Sequence, residues 1–404
     1  MRHSTDRILV SHGGNLPRPP ELDQYIDGGL NPDKDPESYR KGLPDGVKWV
    51  VDRQIELGID IVNDGEYVKA GSFGGYINSR VSGIETQMSN RAPKNPGFWG
   101  RDGKNFPGFV ASGLGNSGSG GPVRPGFFPL PENRPAPPDP SAPRQVRVVT
   151  GPIKYTAHDA MKADVANLKA ALEGKDVEGC LMALGVGTFC AGPYNEYYRD
   201  QKDFLFGAAE ALREEYKIIT DAGLIVQLDE PEIPRAWHFY PDWTIEQYRN
   251  YIELVVEAIN HSLEGIPEEL VRLHVCWGSG HRPHISDIEM KHINDIMVKT
   301  KAQCITFEAA NVRHEHEYHA WEGVKLRPGQ ILGPSVIAHA TDLVEHPELV
   351  AERIIRYANI VGRENVQTNT DCGIGSRVGH EEVAWAKLKT MAEGARIASE
   401  RLWK

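Results

Sequence analysis

Residues 270–278 read LVRLHVCWG. An apolar, β-branched run ends on two metal-seeking side chains, His274 and Cys276, spaced two apart. In a strand that spacing puts both on one face. The same pattern recurs on either side. LIVQLDE (224–230) ends on Asp229 and Glu230, QCITFEA (303–309) carries Glu308, ILGPSVIAH (331–339) ends on His339, and NVQTNTDC (365–372) ends on Cys372. Upstream, RILVSHG (7–13) leads to Asn15, and IDIVNDG (59–65) to Asp64 and Glu66. Amphipathic helical runs separate most of these, over 157–173, 199–221, 244–263, 287–299, 346–361 and about 379–401. Alternating β and α implies a parallel sheet with helical crossovers. Polar residues gathered at the C-terminal ends of the strands point to a (β/α)8 TIM-type barrel, whose active site lies at that end.

Two further β-type runs, QVRVVTG (145–151) and CLMALGVG (180–187), bring the candidates to nine, one more than the barrel needs. The run 180–187 leads into a Cys/Gly/Pro stretch and is expected to be a lid or an extra strand. An open doubly wound sheet is the alternative. Against it, SHGGNLPRP after the first strand goes straight into prolines and lacks the third glycine of a dinucleotide fingerprint.

One barrel over 1–404 is therefore expected, interrupted by an insertion at 88–144 that is dense in Pro, Gly and aromatics. Such a segment suits neither a regular helix nor a central strand. It reads as a solvated loop, as a cover over the barrel mouth, or as a contact in a homo-oligomer.

The 404 residues carry a net charge of −11 and no basic run, which argues against nucleic acid and anionic membrane as partners. The opening MRHSTDRILVSHGG has no apolar signal region and nothing approaches a membrane span, so a cytoplasmic enzyme is expected. Five cysteines make an odd and sparse set, unlike a disulfide framework. Cys180, Cys190 and Cys304 read as buried small hydrophobes.

His274, Cys276 and Cys372 form a Cys2His set of the kind that holds catalytic Zn2+ with a weak or open fourth position. Glu308, a carboxylate in an apolar run, is a fitting fourth ligand, because a bare buried carboxylate is costly; a salt bridge is the plainer alternative. Glu66 and Asp229 suit an ammonium group, or serve as a structural ion pair and a helix cap. His339 has the intrinsic pKa of a general acid, or is simply packed. His281, His284, His314, His316 and His319 read as surface or loop histidines, the last three in the charged run RHEHEYH.

Taken in order, SHGGNLPRPP, GIDIVNDGE, TGPIKY, AGLIVQLDEPEIP, LHVCWG, FEAA and NTDCGIG resemble the motifs of the catalytic C-terminal barrel of cobalamin-independent methionine synthase and its shorter relatives. The resemblance implies zinc held by His274, Cys276, Glu308 and Cys372. It implies that Glu66 and Asp229 grip the amino group of homocysteine, and that His339 protonates the leaving group. Asn15 stands where the family has a Ser that helps hold the amino acid. The implied activity is zinc-dependent thiol S-alkylation, foremost methyl transfer to homocysteine from 5-methyltetrahydropteroyl-glutamate or another donor. The tryptophan of HVCWG is similar to the single-barrel relatives that include epoxyalkane:coenzyme M transferases. On that alternative, Arg18, Lys154, Arg235 and Arg377 are the cations available to a sulfonate. A corrinoid protein is a third possible source of the methyl group.

Overall fold

The computed structural model describes residues 1–23, 36–69, 73–91, 100–111, 143–278, 282–375 and 377–404. A seven-stranded parallel sheet is ordered β1 (Ile61–Asn63), β4 (Glu178–Leu184), β6 (Ile225–Asp229), β7 (Val271–Val275), β8 (Cys304–Phe307), β9 (Ile331–Ile337), β10 (Asn369–Thr370). The segment 9–11 joins its two edges. Ser11 bridges Ile61 and Leu9 bridges Gln367, both in parallel, and Thr368 N donates to Leu9 O at 3.1 Å. The sheet thus closes into the expected barrel. Helices including His158–Leu172, Gln201–Asp221, Ile245–Ser262, Pro347–Val361 and Glu381–Leu402 surround it.

The surplus strand is not the one expected. The run 180–187 supplies barrel strand β4, whereas 145–151 lies in β3 (Arg144–Tyr155), in a separate sheet ordered β2 (Val81–Ser89), β3, β5 (Tyr194–Asn195). Burial explains the exchange. β4 is buried at nearly every position, as a strand covered on both faces must be. β3 alternates buried and open residues, as suits an antiparallel ribbon with one wet face, and it pairs with β2 antiparallel.

The run expected as one helix over 287–299 forms only the short turns Met290–His292 and Asn294–Met297. Before them, Trp277 Nε1 donates to Ile288 O at 2.8 Å and holds that carbonyl away from a helical ladder. Of the insertion, 92–99 and 112–142 lie outside the described residues. The described part contains two short helices, Gly100–Asn105 and Pro107–Ala111, where none was expected. Proline at the start of the second is tolerated because the first N–H of a helix has no partner to lose. Arg101 docks this part onto the barrel: its guanidinium stacks 3.4 Å over the Trp237 ring and donates to Trp237 O and Trp243 O, each at 3.0 Å.

Register sets the barrel interior in layers. Asp229 neighbours His274, His274 neighbours Thr306, and Thr306 neighbours Gly333. One step lower, Gln227, Arg272, Cys304 and Ile331 form the next row. Gly333 is required where it stands, because a Cβ there would lie 2.5 Å from Thr306 Cγ2. Cys180, Cys190 and Cys304 are buried, as expected. Among the described residues no helix is long and apolar enough to cross a membrane.

Candidate metal and substrate site

At the C-terminal mouth, a ring nitrogen of His274 and the sulfurs of Cys276 and Cys372 lie within 4.8 Å of one another. β7 delivers the first two from one face, and the turn after β10 delivers the third. Asn15 fixes that turn: its carbonyl accepts from Ile374 N and Gly375 N, both at 3.0 Å. No side chain fits at Gly373, where a Cβ would stand 2.4 Å from Asn15 N.

His274 Nδ1 pairs with Thr306 Oγ1 at 3.0 Å, which leaves Nε2, buried and without a hydrogen-bond partner. Contact with Cys276 pushes Cys372 well below the usual thiol range, and the same contact with Cys372 pushes Cys276 well above it. Two sulfurs and an imidazole in a buried corner form a donor set for a soft divalent ion.

Glu308 stands outside this trio but close enough to feel it. Burial, followed by the charge of Asp371, raises its carboxyl well above the ordinary range, against the pull of His314. One oxygen takes a hydrogen bond from Asn311 Nδ2 at 3.2 Å, and the other is buried without a partner. The salt bridge considered for Glu308 is absent among the described residues.

Two buried acids, Glu66 and Asp229, lie within electrostatic reach of Cys372. Glu66 is buried at φ +58°, a left-handed conformation that non-glycine residues rarely adopt, held by Asp64 Oδ1 accepting from Glu66 N at 2.9 Å. Burial pushes its carboxyl up to about 8, against the pull of Lys69 and with the push of Asp229. Asp229, register neighbour of His274, takes a hydrogen bond from Gln227 Nε2 at 2.7 Å, and burial raises its pKa as well. It does not cap the following helix, where the N-cap position is Pro231.

His339 is buried at the end of β9, with Nδ1 3.9 Å from Asp371 Oδ2. Asp371 Oδ1 accepts from Ala309 N at 3.0 Å and Ala310 N at 2.9 Å. Burial raises the Asp371 carboxyl to about 6. Asp371 and Thr306 were not anticipated, although both sit beside a marked residue, in TDC and TFE.

The histidine expectations divide. His316 and His319 are exposed, as expected. His314 is not a surface histidine: it is 3% exposed and stacks on Trp277 with centroids 4.0 Å apart. His284 is half-buried, and His281 lies outside the described residues. Of the cations considered for a sulfonate, Arg377 lies within electrostatic reach of Cys372 and Arg235 of Cys276. Lys154 is exposed on β3, and Arg18 pairs with Asp23 at 3.8 Å.

Comparison with known proteins gives a consistent answer. The family model described as "Cobalamin-independent synthase, Catalytic domain" matches residues 141–397, which hold all four metal-donor candidates, Asp229 and His339, but neither Asn15 nor Glu66. The methionine synthase of Sulfurisphaera tokodaii is 28% identical over 221 residues, 54% of this chain and 56% of that protein. That of Saccharolobus islandicus is 30% identical over 223 residues, 54% and 58% of the two chains. The match thus spans little more than half the length of these curated relatives. Among solved structures, a B12-independent methionine synthase from Shewanella in complex with selenomethionine superposes with a TM-score of 0.67 at 18% identity, over 98% of this chain and 99% of that one. At that identity the likeness is one of fold.

Proposed function

The chain belongs to the family of cobalamin-independent synthase catalytic domains, and from that premise we propose that it is a zinc-dependent thiol S-methyltransferase, built as one barrel over 1–404, whose acceptor is homocysteine. The convergence of His274, Cys276 and Cys372 within 4.8 Å carries this reading. The donors fit zinc: the trio offers an imidazole and two sulfurs, and the unpartnered oxygen of Glu308 is a displaceable fourth group. Zinc held there supplies a Lewis acid that turns a thiol into a thiolate at neutral pH.

The chain's own residues do the rest. Glu66 and Asp229 are proposed to take the substrate ammonium, which fixes the sulfur relative to the barrel axis. Their burial strengthens each charge-assisted hydrogen bond and excludes water. In the transfer, a sulfur–carbon bond forms as the bond from the methyl carbon to the donor's leaving atom breaks. The leaving atom takes a proton, which His339 is proposed to give, with Asp371 stabilising the imidazolium beforehand. Asn15 acts through its backbone by holding the turn that carries Cys372.

A sulfonate-bearing thiol such as coenzyme M, opening an epoxide, is the second reading. Arg235 and Arg377 near the sulfurs favour it. The acids Glu66 and Asp229 favour an aminothiol.

Thiol titration of the cobalt-loaded protein separates the two, because each new thiolate ligand adds intensity to the sulfur-to-cobalt absorption band. A rise with homocysteine alone supports the first reading. A rise with coenzyme M alone overturns it in favour of the second. No rise with either rejects both acceptors.

A further inference from the structure

A second nest of donor side chains lies beside the sulfur site, and neither proposed mechanism uses it. Its centre is Asp287, whose side chain is fully buried. His238 Nε2 meets Asp287 Oδ1 at 2.7 Å; His284 Nδ1 and His314 Nε2 meet Oδ2 at 2.7 Å and 3.0 Å. Asp102, from the inserted segment and also fully buried, brings a carboxylate within 4.8 Å of both His238 and Asp287.

Hydrogen bonding inside the nest leaves a remainder. With Nε2–H of His238 donated to Asp287, Nδ1 carries a lone pair, and it is buried with no partner. One oxygen of Asp102 accepts from Ser286 N at 2.9 Å, and the other is buried with no partner. Two buried acceptors without a donor are costly to leave unpaired. A cation answers both, whether a metal ion or a proton on His238 Nδ1.

Two further details suit an ion. His314 faces Asp287 through Nε2 and Glu317 Oε2 through Nδ1 at 2.8 Å; an ion that replaces the Nε2 proton would leave Glu317 as the outer carboxylate that orients a metal-bound imidazole. His284 is held at φ +55°, a strained conformation for a side-chain-bearing residue, and its 17% exposed side chain gives an ion a way in.

We propose that this nest is a second metal site, separate from the sulfur site, taking a first-row divalent transition ion on Asp287, with His238, His284, His314 and Asp102 as its further donors. An all-nitrogen and oxygen set suits Zn2+, Mn2+ or Fe2+ and lacks the sulfur donors that select for Cu+. Position suggests its purpose. Asp102 comes from the insertion, His238 from the helix after β6, His284 and Asp287 from the loop after β7, and His314 from the turn after β8. An ion here ties the insertion to the two loops that follow Cys276 and Glu308. The inference stands apart from the choice of acceptor thiol.

The test strips the full chain of metal, reloads it with Co2+ alone, and reads cobalt per chain with the absorption spectrum. Two cobalt ions per wild-type chain are expected. The C276S/C372S variant should keep one, with weak d–d bands and no sulfur-to-cobalt band. Asp287→Asn should keep the sulfur band and drop to one. His284→Ala, at the accessible rim, should weaken the second ion at least tenfold and guards against misfolding of the Asp287 variant. One cobalt per wild-type chain, saturating the sulfur band, overturns the proposal, as does unchanged stoichiometry in both nest variants. Failure of the zinc–thiolate reading looks different: a wild-type spectrum with no sulfur band, unaffected by the cysteine substitutions.

Discussion

His339 and Asp371 lie side by side after the paired strands β9 and β10, Nδ1 to Oδ2 at 3.9 Å, while the other oxygen of Asp371 accepts the N–H groups of Ala309 and Ala310. One carboxylate therefore links the proposed proton donor to the residues that follow Glu308, and Cys372 is its neighbour in sequence. If His339 protonates the leaving atom, its loss must slow the chemical step without loosening the thiol. His339→Gln should lower kcat by roughly 10²–10³, with KM for the thiol changed less than threefold. Steady-state kinetics decide it; a kcat within threefold of wild type would remove His339 from the mechanism.

Thr306 makes no contact with substrate in this scheme, yet it sets His274. By pairing with Nδ1 at 3.0 Å it directs Nε2 toward the sulfurs. Thr306→Val keeps the shape and deletes the partner. Metal affinity should fall about 10–100-fold, as is usual for loss of a group that orients a ligand. Competition against a chromogenic chelator measures this directly. Unchanged affinity would mean that packing alone holds the ring.

Glu66 predicts a proton balance. Burial raises its carboxyl to about 8, so at pH 7 the free protein holds that proton. An arriving ammonium favours the carboxylate and expels it. Affinity for an amino acid should therefore rise with pH up to about 8 and level off above. Methionine is the suitable probe, since it has no thiol to titrate. Calorimetry at pH 7 in buffers of differing ionisation heat should show proton release by wild type and less by Glu66→Gln. Equal release from both would place the ammonium elsewhere.

The strand-end residues were legible in the sequence because a barrel strand has only one interior face, and a period of two assigns it. His274, Cys276 and Cys372 meet for that reason. The exchange of β3 for β4 was not legible from composition, because β-branched residues favour QVRVVTG as a strand while CLMALGVG has only Val186. Their difference is alternation against continuity, which becomes decisive only once both faces of β4 are covered. His314 was misread because RHEHEYH is charged throughout. A 3-10 turn repeats every three residues, so His314 and Glu317 share one buried side while His316 and His319 face water. Asp287 stood in no pattern at all; its partners come from three other parts of the chain.

His12 connects the barrel interior to acid stability. Its Nε2–H donates to Gln54 Oε1 at 2.8 Å, and Asn63 N donates to the same oxygen at 2.9 Å. Nδ1 is buried without a partner, so a second proton would arrive with nothing to receive it. Burial, with the Arg272 charge nearby, lowers its pKa to about 4, against 6.5 for an ordinary histidine. Between those values the unfolded chain binds more protons than the folded one, so stability grows with pH. The contribution is complete above about 6.5 and is lost as pH falls toward 4. From pH 7 to pH 5 this single residue should cost about 2 kcal/mol. His12→Gln cannot titrate. It should lose about 1 kcal/mol at pH 7 through a poorer hydrogen bond, yet show a pH slope smaller than wild type by that same 2 kcal/mol. Denaturant unfolding of both proteins at the two pH values gives the comparison, with other titrating groups cancelling in the difference. Parallel losses would show that His12 is already charged in the folded barrel.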